Sequence, residues 1–383
     1  MPHRLKQVNI RLRQADVPAA YREAVILDSS AAYDWVSDLF PDTGRDYMVA
    51  ANLDARGHPL NFMAANMETV QKSMAEMIRN LMRSAILSNA ARVVLVSRFV
   101  ENDVRREDIT DSFTETAYRI GRTFGINLCD HIVMRNGTLE YESYLDKGFF
   151  RNLEMPGAEG GESYAAKAAE NEDAGGACGE LPGDYTKTED APGMDTRYFF
   201  PDEFAYVRLV PVPGGLPSDV PVNSIEAARQ AVMGFMGELD RKYFCALSVN
   251  ARNRPINFCV VAVGSATSSQ VHFADSFKPA LLSNAPKVVF FHNHPSGDPS
   301  PSSEDFQVTD RLVQCGCMLG IEVADHIIIG STLRKMPQQY FSFREGGTIA
   351  DFTEKAKKKM SLVPGYPPAG KKRDKSLRNG RRR

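Results

Sequence analysis

Residues 288–305 read VVFFHNHPSGDPSPSSED, a stretch that indicates both a local fold and a chemistry. Its four leading apolar residues predict a buried strand, its Pro- and Gly-rich centre predicts a stiff loop, and helical apolar spacing continues as far as residue 319. Side chains two apart on a strand share a face, so we expect His292 and His294 to point the same way. Together with the carboxylate of Asp305 they form the three-ligand set that catalytic zinc uses, with a fourth position left for water.

Length and composition place the chain among soluble globular proteins. Its 383 residues suffice for two or more domains, and 43% hydrophobic with 25% charged residues is ordinary for such domains. No apolar run approaches the roughly 18 residues that a membrane span needs, so none is expected. The net charge of −2 hides an asymmetry, because residues 355–383 carry twelve Lys or Arg against one acidic residue, Asp374.

Cysteine usage indicates a reducing compartment. Most of the cysteines lie in apolar runs, and they occur at positions 129, 178, 245, 259, 315 and 317. This pattern is typical of buried, reduced thiols and predicts a cytoplasmic protein; the first seven residues also contain no apolar segment of the signal-peptide type. Cys315 and Cys317 fall on a predicted helix without the two-residue spacer of a metal or redox pair, so we interpret them as packing residues.

The chain contains a diverged copy of itself, displaced by about 195 residues. Residues 54–62 (DARGHPLNF) match residues 250–258 (NARNRPINF), and residues 87–94 (LSNAARVV) match residues 282–289 (LSNAPKVV). Two shorter matches follow in the same order, Gly-Ile at 125 and 320 and Asp-His-Ile at 130 and 325. Because this period is too long for a solenoid, the repeat predicts two similar domains.

Each copy has the same order of predicted elements, namely a helix, two strands, a helix, a strand, a helix and a last strand. The predicted strands are 47–53, 60–65, 93–96 and 131–134 in the first copy and 243–249, 256–263, 288–291 and 326–329 in the second. The opening helices are predicted at 29–39 and 224–239. Helices that alternate with a mixed sheet predict an α/β sandwich in each copy.

These patterns divide the chain into two domains, a linker and a tail. We predict domains at residues 1–150 and 201–350. Residues 151–200 are rich in Gly, Ala, Glu and Asp and are expected to be a disordered acidic linker, since they cannot bury enough apolar surface to offset the entropy of ordering. Residues 351–383 are expected to be a disordered basic tail.

The spacing His292-x-His294, seven residues, Ser302, two residues, Asp305 is that of the JAMM metallopeptidase signature. The wording around it, HNHPSGDP and later DHIIIG at residues 325–330, resembles the RadC-like JAB domain family over residues 207–345. The first copy is similar to that family through the repeat. The resemblance implies two tandem JAB/MPN-like α/β sandwich domains, mixed sheets flanked by helices, with a cytidine-deaminase-like architecture.

The resemblance also implies a chemistry. Zinc would be held by His292, His294 and Asp305, and it would polarise a scissile amide carbonyl and lower the pKa of its bound water to about 7. Ser302 would donate a hydrogen bond to the developing oxyanion. Ser302 and Asp305 alone also fit a capping box at the start of the helix, and the two roles are compatible. The buried-looking His131 and His326 are interpreted as structural.

One position departs from the family. Its members carry a general-base Glu in a Leu-Asp-Arg-Glu-x-Phe context, whereas the matching residues 239–244 read LDRKYF and place Lys242 there. A protonated ammonium, with a reference pKa of about 10.4, cannot accept a proton from water. Glu238, one helical turn earlier, is the first candidate for a substitute base, and Asp240 is the other.

The first copy has lost the ligand motif. Ser97, Arg98 and Phe99 stand where the second copy has its His-Asn-His, and Asp46 stands where it has Lys242. We interpret the first copy as a metal-free scaffold that pairs with the second inside one chain, by analogy with paired JAB/MPN proteins.

Two hypotheses of function follow. The first is a zinc-dependent metallopeptidase or isopeptidase, or a catalytically impaired descendant of one, acting on a peptide or isopeptide substrate. The alternative is a non-catalytic scaffold or a DNA-repair-associated binding protein whose basic tail attracts nucleic-acid phosphates. A solvated tail without a partner also remains open.

Overall fold

The computed structural model describes residues 3–14, 24–39, 46–66, 74–100, 104–135, 140–153, 205–212, 215–218, 223–237, 239–264, 271–330 and 339–361. Two short strands, β1 (His3–Leu5) and β2 (Val8–Gln14), come first. The first domain continues with α1 (Ser29–Leu39), β3 (Tyr47–Leu53), β4 (Pro59–Asn66), α2 (Met74–Leu87), β5 (Arg92–Phe99), α3 (Val104–Phe124), β6 (Asn127–Arg135), β7 (Tyr141–Ser143) and a 3-10 helix at Phe149–Leu153.

The second domain repeats this order after two further short strands. Its elements are β8 (Ala205–Pro211), β9 (Leu216–Ser218), α4 (Ile225–Met236), β10 (Tyr243–Val249), β11 (Pro255–Val263), α5 (Phe273–Leu282), β12 (Lys287–Asn293), α6 (Ser303–Leu319), β13 (Glu322–Ile329), β14 (Tyr340–Ser342) and α7 (Thr348–Met360).

Both domains contain a five-stranded mixed sheet with the same topology. The strand orders are β4-β3-β5-β6-β7 and β11-β10-β12-β13-β14. The pairs β5–β6 and β12–β13 are parallel, and the other neighbours are antiparallel. The predicted pair of α/β sandwich domains is therefore confirmed.

Each sheet is covered by helices on both faces, which explains its nearly continuous apolar strands. In β3, Met48 faces a core with α2 and α3, whereas Val49 packs against α1. In β12, Phe290 faces α5 and α6, whereas Phe291 packs on the α4 side. Alternate side chains thus serve two different cores.

The short sequence motifs that occur in both copies adopt the same backbone geometry. The first residue of the turn between the leading strands, Asp54 or Asn250, accepts hydrogen bonds from two backbone N–H groups of that turn through its side-chain oxygen. The Leu-Ser-Asn-Ala motif lies at the end of α2 and of α5, where Asn89 and Asn284 have positive φ angles of 61° and 49°. Asn tolerates this left-handed conformation, which closes a helix by turning the chain toward the next strand.

The two domains share one apolar core. Met77 of α2, Phe113 of α3, Phe277 of α5 and Leu312 of α6 all belong to it and are almost completely buried. At its edge, Nη2 of Arg83 on α2 donates to the Leu319 carbonyl at 2.8 Å. This carbonyl lies in the last turn of α6, where intrahelical partners run out and a cation is favourable.

The short strands at the start of each half also pair with one another. β1 pairs with β9, and β2 pairs with β8, both antiparallel. In addition, the N–H of Phe258 on β11 donates to the Lys6 carbonyl at 2.8 Å. Residues 3–14 therefore contact strands of the second half, while the bounds given above for the domains remain a prediction.

Most of the predicted linker and tail lies outside the described residues, which exclude 154–204 and 362–383. The described part of the predicted tail differs from expectation, because α7 continues as a helix to Met360. Ile349, Ala356 and Met360 are buried on one face of α7, so apolar packing orders a segment whose lysines suggested disorder.

None of the described helices suits a lipid bilayer. The longest, α3, has 21 residues but carries charged side chains along its length. Accordingly, no helix in the described ranges combines the length and apolarity that crossing a membrane requires.

Replacing Arg83 with Ala is expected to lower the free energy of unfolding by about 1.5–3 kcal/mol, because a charged donor is removed from a partly buried carbonyl between the domains. Arg119→Ala is the matched control, since this exposed arginine pairs with Glu115 on its own helix and should change stability by less than about 0.5 kcal/mol. Urea denaturation of both variants measures the difference. Equal effects would show that the Arg83 contact does not couple the domains.

Candidate metal centre

The predicted ligands meet at one end of the second sheet. His292 is the penultimate residue of β12, and His294 follows the strand, where its N–H donates to the Ile329 carbonyl at 2.8 Å. Asp305 lies in the first turn of α6. The connecting loop packs closely, since a Cβ on Gly330 would collide with the Gly297 carbonyl.

The three side chains present their ligand atoms to one another. Nε2 of His292 lies 3.1 Å from Nε2 of His294 and 3.1 Å from Oδ1 of Asp305, and Nε2 of His294 lies 3.5 Å from Oδ2 of Asp305. Ligands at about 2.0–2.1 Å from a tetrahedral zinc ion are separated by roughly 3.4 Å. The set therefore fits zinc, and within the described ranges no other group of three His, Cys, Asp or Glu side chains converges in this way.

A backbone carbonyl fixes the tautomer of His294. Its Nδ1 lies 2.9 Å from the Asp298 carbonyl oxygen, which can only accept. Nδ1 therefore carries a proton, and the lone pair of this tautomer is on Nε2, which faces the cluster.

A longer chain of hydrogen bonds fixes the tautomer of His292. Thr309 donates its hydroxyl proton to the Asp305 carbonyl at 2.5 Å, so it must accept from Nδ1 of His326, 2.8 Å away. Nε2 of His326 is then unprotonated and accepts from Nδ1 of His292 at 2.9 Å. Nε2 of His292 is left bare and faces the cluster, which is the state that a metal ligand needs.

The electrostatic environment favours the ligand forms of His292 and Asp305. Burial lowers the pKa of His292 and lowers the pKa of His326 well below its usual value, so both rings are neutral. Burial alone would raise the pKa of the Asp305 carboxyl, but its contacts with the two imidazoles hold that pKa well below the usual range. Imidazole nitrogens beside an ionised carboxylate suit a divalent cation.

Ser302 adopts the capping geometry that was one of its two predicted roles. Its hydroxyl donates to Oδ2 of Asp305 at 2.6 Å, and its oxygen accepts from the Asp305 N–H at 3.2 Å. The Ser302 N–H also donates to Oδ2 at 2.7 Å, which completes a capping box. This cap orients Asp305 toward the histidines, while the oxyanion role of Ser302 remains a prediction.

Lys242 lies beside this cluster, immediately before β10. The side-chain amide of Asn293 clamps the backbone on both sides of it, accepting from the Tyr243 N–H at 2.7 Å and donating to the Arg241 carbonyl at 3.0 Å. Of the two alternative bases, Asp240 is exposed and paired with Arg241. Glu238 lies outside the described residues.

The first domain contains the equivalent hydrogen-bond chain through a buried histidine, but it lacks the ligand side chains. Thr114 donates to the Thr110 carbonyl at 2.6 Å and contacts Nδ1 of His131 at 2.5 Å, and Nε2 of His131 contacts the Ser97 hydroxyl at 2.8 Å. Ser97 thus occupies the position of His292, and Thr110 that of Asp305. Burial lowers the pKa of His131 to about 3, so this ring is also neutral.

Sequence reasoning missed the residues that orient the ligands. His326 was interpreted as structural, yet it touches His292, and Thr309 received no role. Two signals were present. Thr309 follows Asp305 by one helical turn and so shares its face, and a histidine inside the apolar strand 323–329 requires a polar partner in the core.

His326→Phe is expected to weaken zinc binding by about 10–100-fold, because His292 loses the acceptor that holds its Nδ1 proton. His131→Phe, the equivalent change in the domain without ligands, should leave zinc affinity unchanged. Competition with a chromophoric chelator gives the affinities, and circular dichroism verifies folding. If folded His326→Phe bound zinc as tightly as the parent, the hydrogen bond from His292 to His326 would not be needed to orient His292.

Comparisons with known proteins agree with these observations. The family model of the RadC-like JAB domain matches twice, at residues 26–149 and 222–348, together more than half of the chain. UPF0758 proteins from Desulfitobacterium hafniense (strain DSM 10664 / DCB-2) and Bacillus cereus (strain AH187) are 42% and 41% identical over 128 residues. These matches cover 33% of this chain and 54% of each relative, so the chain spans about half the length of the curated relatives it matches. The chain belongs to the RadC-like JAB domain family.

Proposed function

We propose that the second domain contains a zinc-dependent hydrolase site of the metallopeptidase or isopeptidase type, and that Lys242 limits the rate at which this site turns over substrate. The observation that carries this proposal is the fixed tautomer of both histidines. The Asp298 carbonyl and the chain through His326 and Thr309 leave both Nε2 lone pairs directed at the carboxylate of Asp305. Such a convergence of electron-rich atoms is stabilised by a cation among them.

The residues at this site have separable tasks in amide hydrolysis. Zinc held by His292, His294 and Asp305 would supply a Lewis acid for the scissile carbonyl and would activate water. Asp305 is oriented for binding by Ser302, whose hydroxyl already touches it and lies at the rim of the cluster. A donor at that rim is suited to stabilise an oxyanion once its hydrogen bond is redirected.

The proton transfer is the step that the described residues do not provide. A general base accepts a proton from water and returns it to the leaving amine, and this contributes about 10²–10⁴-fold to the rate. Lys242 stands at the family's base position, clamped by Asn293 in a fixed place. A lysine in its charged form carries no lone pair for this task, which is why we infer limited turnover.

Purified protein is expected to contain close to one zinc ion per chain, because the described residues contain one three-ligand set. The double variant His292→Ala/His294→Ala should lose this zinc, since a single carboxylate holds zinc weakly. His58→Ala, which removes a partly exposed histidine of the first domain, is the matched control. Elemental analysis after dialysis measures the content. Zinc retained by the double variant would rule out this site.

Lys242→Glu is expected to raise amide hydrolysis of a peptide library by about 10²–10⁴-fold over the parent, because it supplies the missing base. Lys242→Gln, which removes the charge without adding a base, should remain close to the parent. Both are assayed zinc-loaded at neutral pH. A zinc-loaded Lys242→Glu protein as inert as the parent would contradict the proposal of impaired hydrolysis.

A further inference from the structure

Strand register places Lys242 on the face of the sheet that carries the ligand cluster. Phe244 lies opposite His292 in the register of β10 and β12, and both Phe244 and Phe290 face the core between the domains. Side chains two apart on a strand share a face, so Lys242 continues the face of Phe244 toward the end of the sheet where His294 lies.

Two further observations support this placement. The amide of Asn293, which is 2% exposed, hydrogen-bonds the backbone on either side of Lys242 and so fixes where its side chain leaves the chain. The charge of Lys242 also acts on the cluster. Burial is the main cause that lowers the pKa of His292, and the nearby ammonium of Lys242 lowers it further.

Lys242 replaces the glutamate that the family carries at this position, and this exchange of a carboxylate for an ammonium changes the local charge by two units. With a divalent cation on the cluster, Asp305 offsets one of its charges, and Lys242 adds a charge instead of offsetting the other. Asp305 lies in the first turn of α6, a helix of 17 residues, so the helix dipole adds partial positive charge near the cluster. Such a site attracts anions.

We propose that Lys242 and the metal centre together bind a compact oxyanion, a carboxylate or a phosphate, carried by the substrate or ligand of this domain. This inference rests on the proposed function and assigns it a ligand class, an amide or ester compound with an anionic group within reach of Lys242. In that role Lys242 is a specificity-determining residue, and Asn293 is the residue that positions it.

Titration of the zinc-loaded full chain with inorganic phosphate and with acetate, followed by calorimetry, tests the proposal. Lys242→Gln should weaken binding of the preferred anion at least about tenfold, the equivalent of about 1.4 kcal/mol. Lys242→Arg, which keeps the charge, should bind as the parent does. Phosphate bound more tightly than acetate identifies a phosphate ligand, and the reverse order a carboxylate.

Arg241→Gln is the matched control, since Arg241 is the neighbouring cation and is exposed and paired with Asp240. It should bind the anion like the parent. Equal affinity in Lys242→Gln and the parent, or an equal loss in Arg241→Gln, would overturn the inference.

The anion titration and the hydrolysis assay together separate the two proposals. Lys242-dependent anion binding by a zinc-loaded chain whose Lys242→Glu variant stays inert in amide hydrolysis supports the anion site and refutes the impaired hydrolase. A zinc-loaded chain that binds neither anion refutes the anion site alone.

Discussion

The direction of one hydrogen-bond chain determines what the second domain can bind. The Asp305 carbonyl can only accept, so the protons of Thr309, His326 and His292 must all point along the chain in the same sense. Reversal would require a proton donor where the helix has a carbonyl. The free lone pair on Nε2 of His292 is therefore a consequence of helix geometry. The same residue, Asp305, supplies both the carbonyl that starts the chain and the carboxylate at the cluster.

The first domain keeps an equivalent chain of hydrogen bonds although it lacks the ligand side chains. His131 and Thr114 repeat the contacts of His326 and Thr309, although Ser97 has taken the place of the ligand. A buried imidazole needs partners for both of its nitrogens, and a serine hydroxyl satisfies the second one as well as an imidazole does. The core polar network is thus present in both domains, and in the second it also orients His292 within the cluster.

Sequence alone predicted the repeat, the two mixed sheets and the three side chains of the cluster, because each depends on local pattern. Apolar runs such as residues 288–291 predict strands, and the spacing from His292 to Asp305 spans one loop and one helix start. The role of His326 depends instead on strand pairing between β12 and β13, which no local pattern specifies. The order in residues 351–360 was missed for a related reason, since α7 is stabilised by a core that composition does not reveal.

The interleaved strands have a consequence for how the two halves stay together. β1 and β2 lie before the first domain along the chain, but they hydrogen-bond to β8 and β9, which follow residue 204. A chain cut between residues 153 and 205 would yield two fragments, each completing a sheet of the other and sharing its apolar core. Such fragments would present complementary strands and apolar surfaces, so each would be stabilised by binding the other.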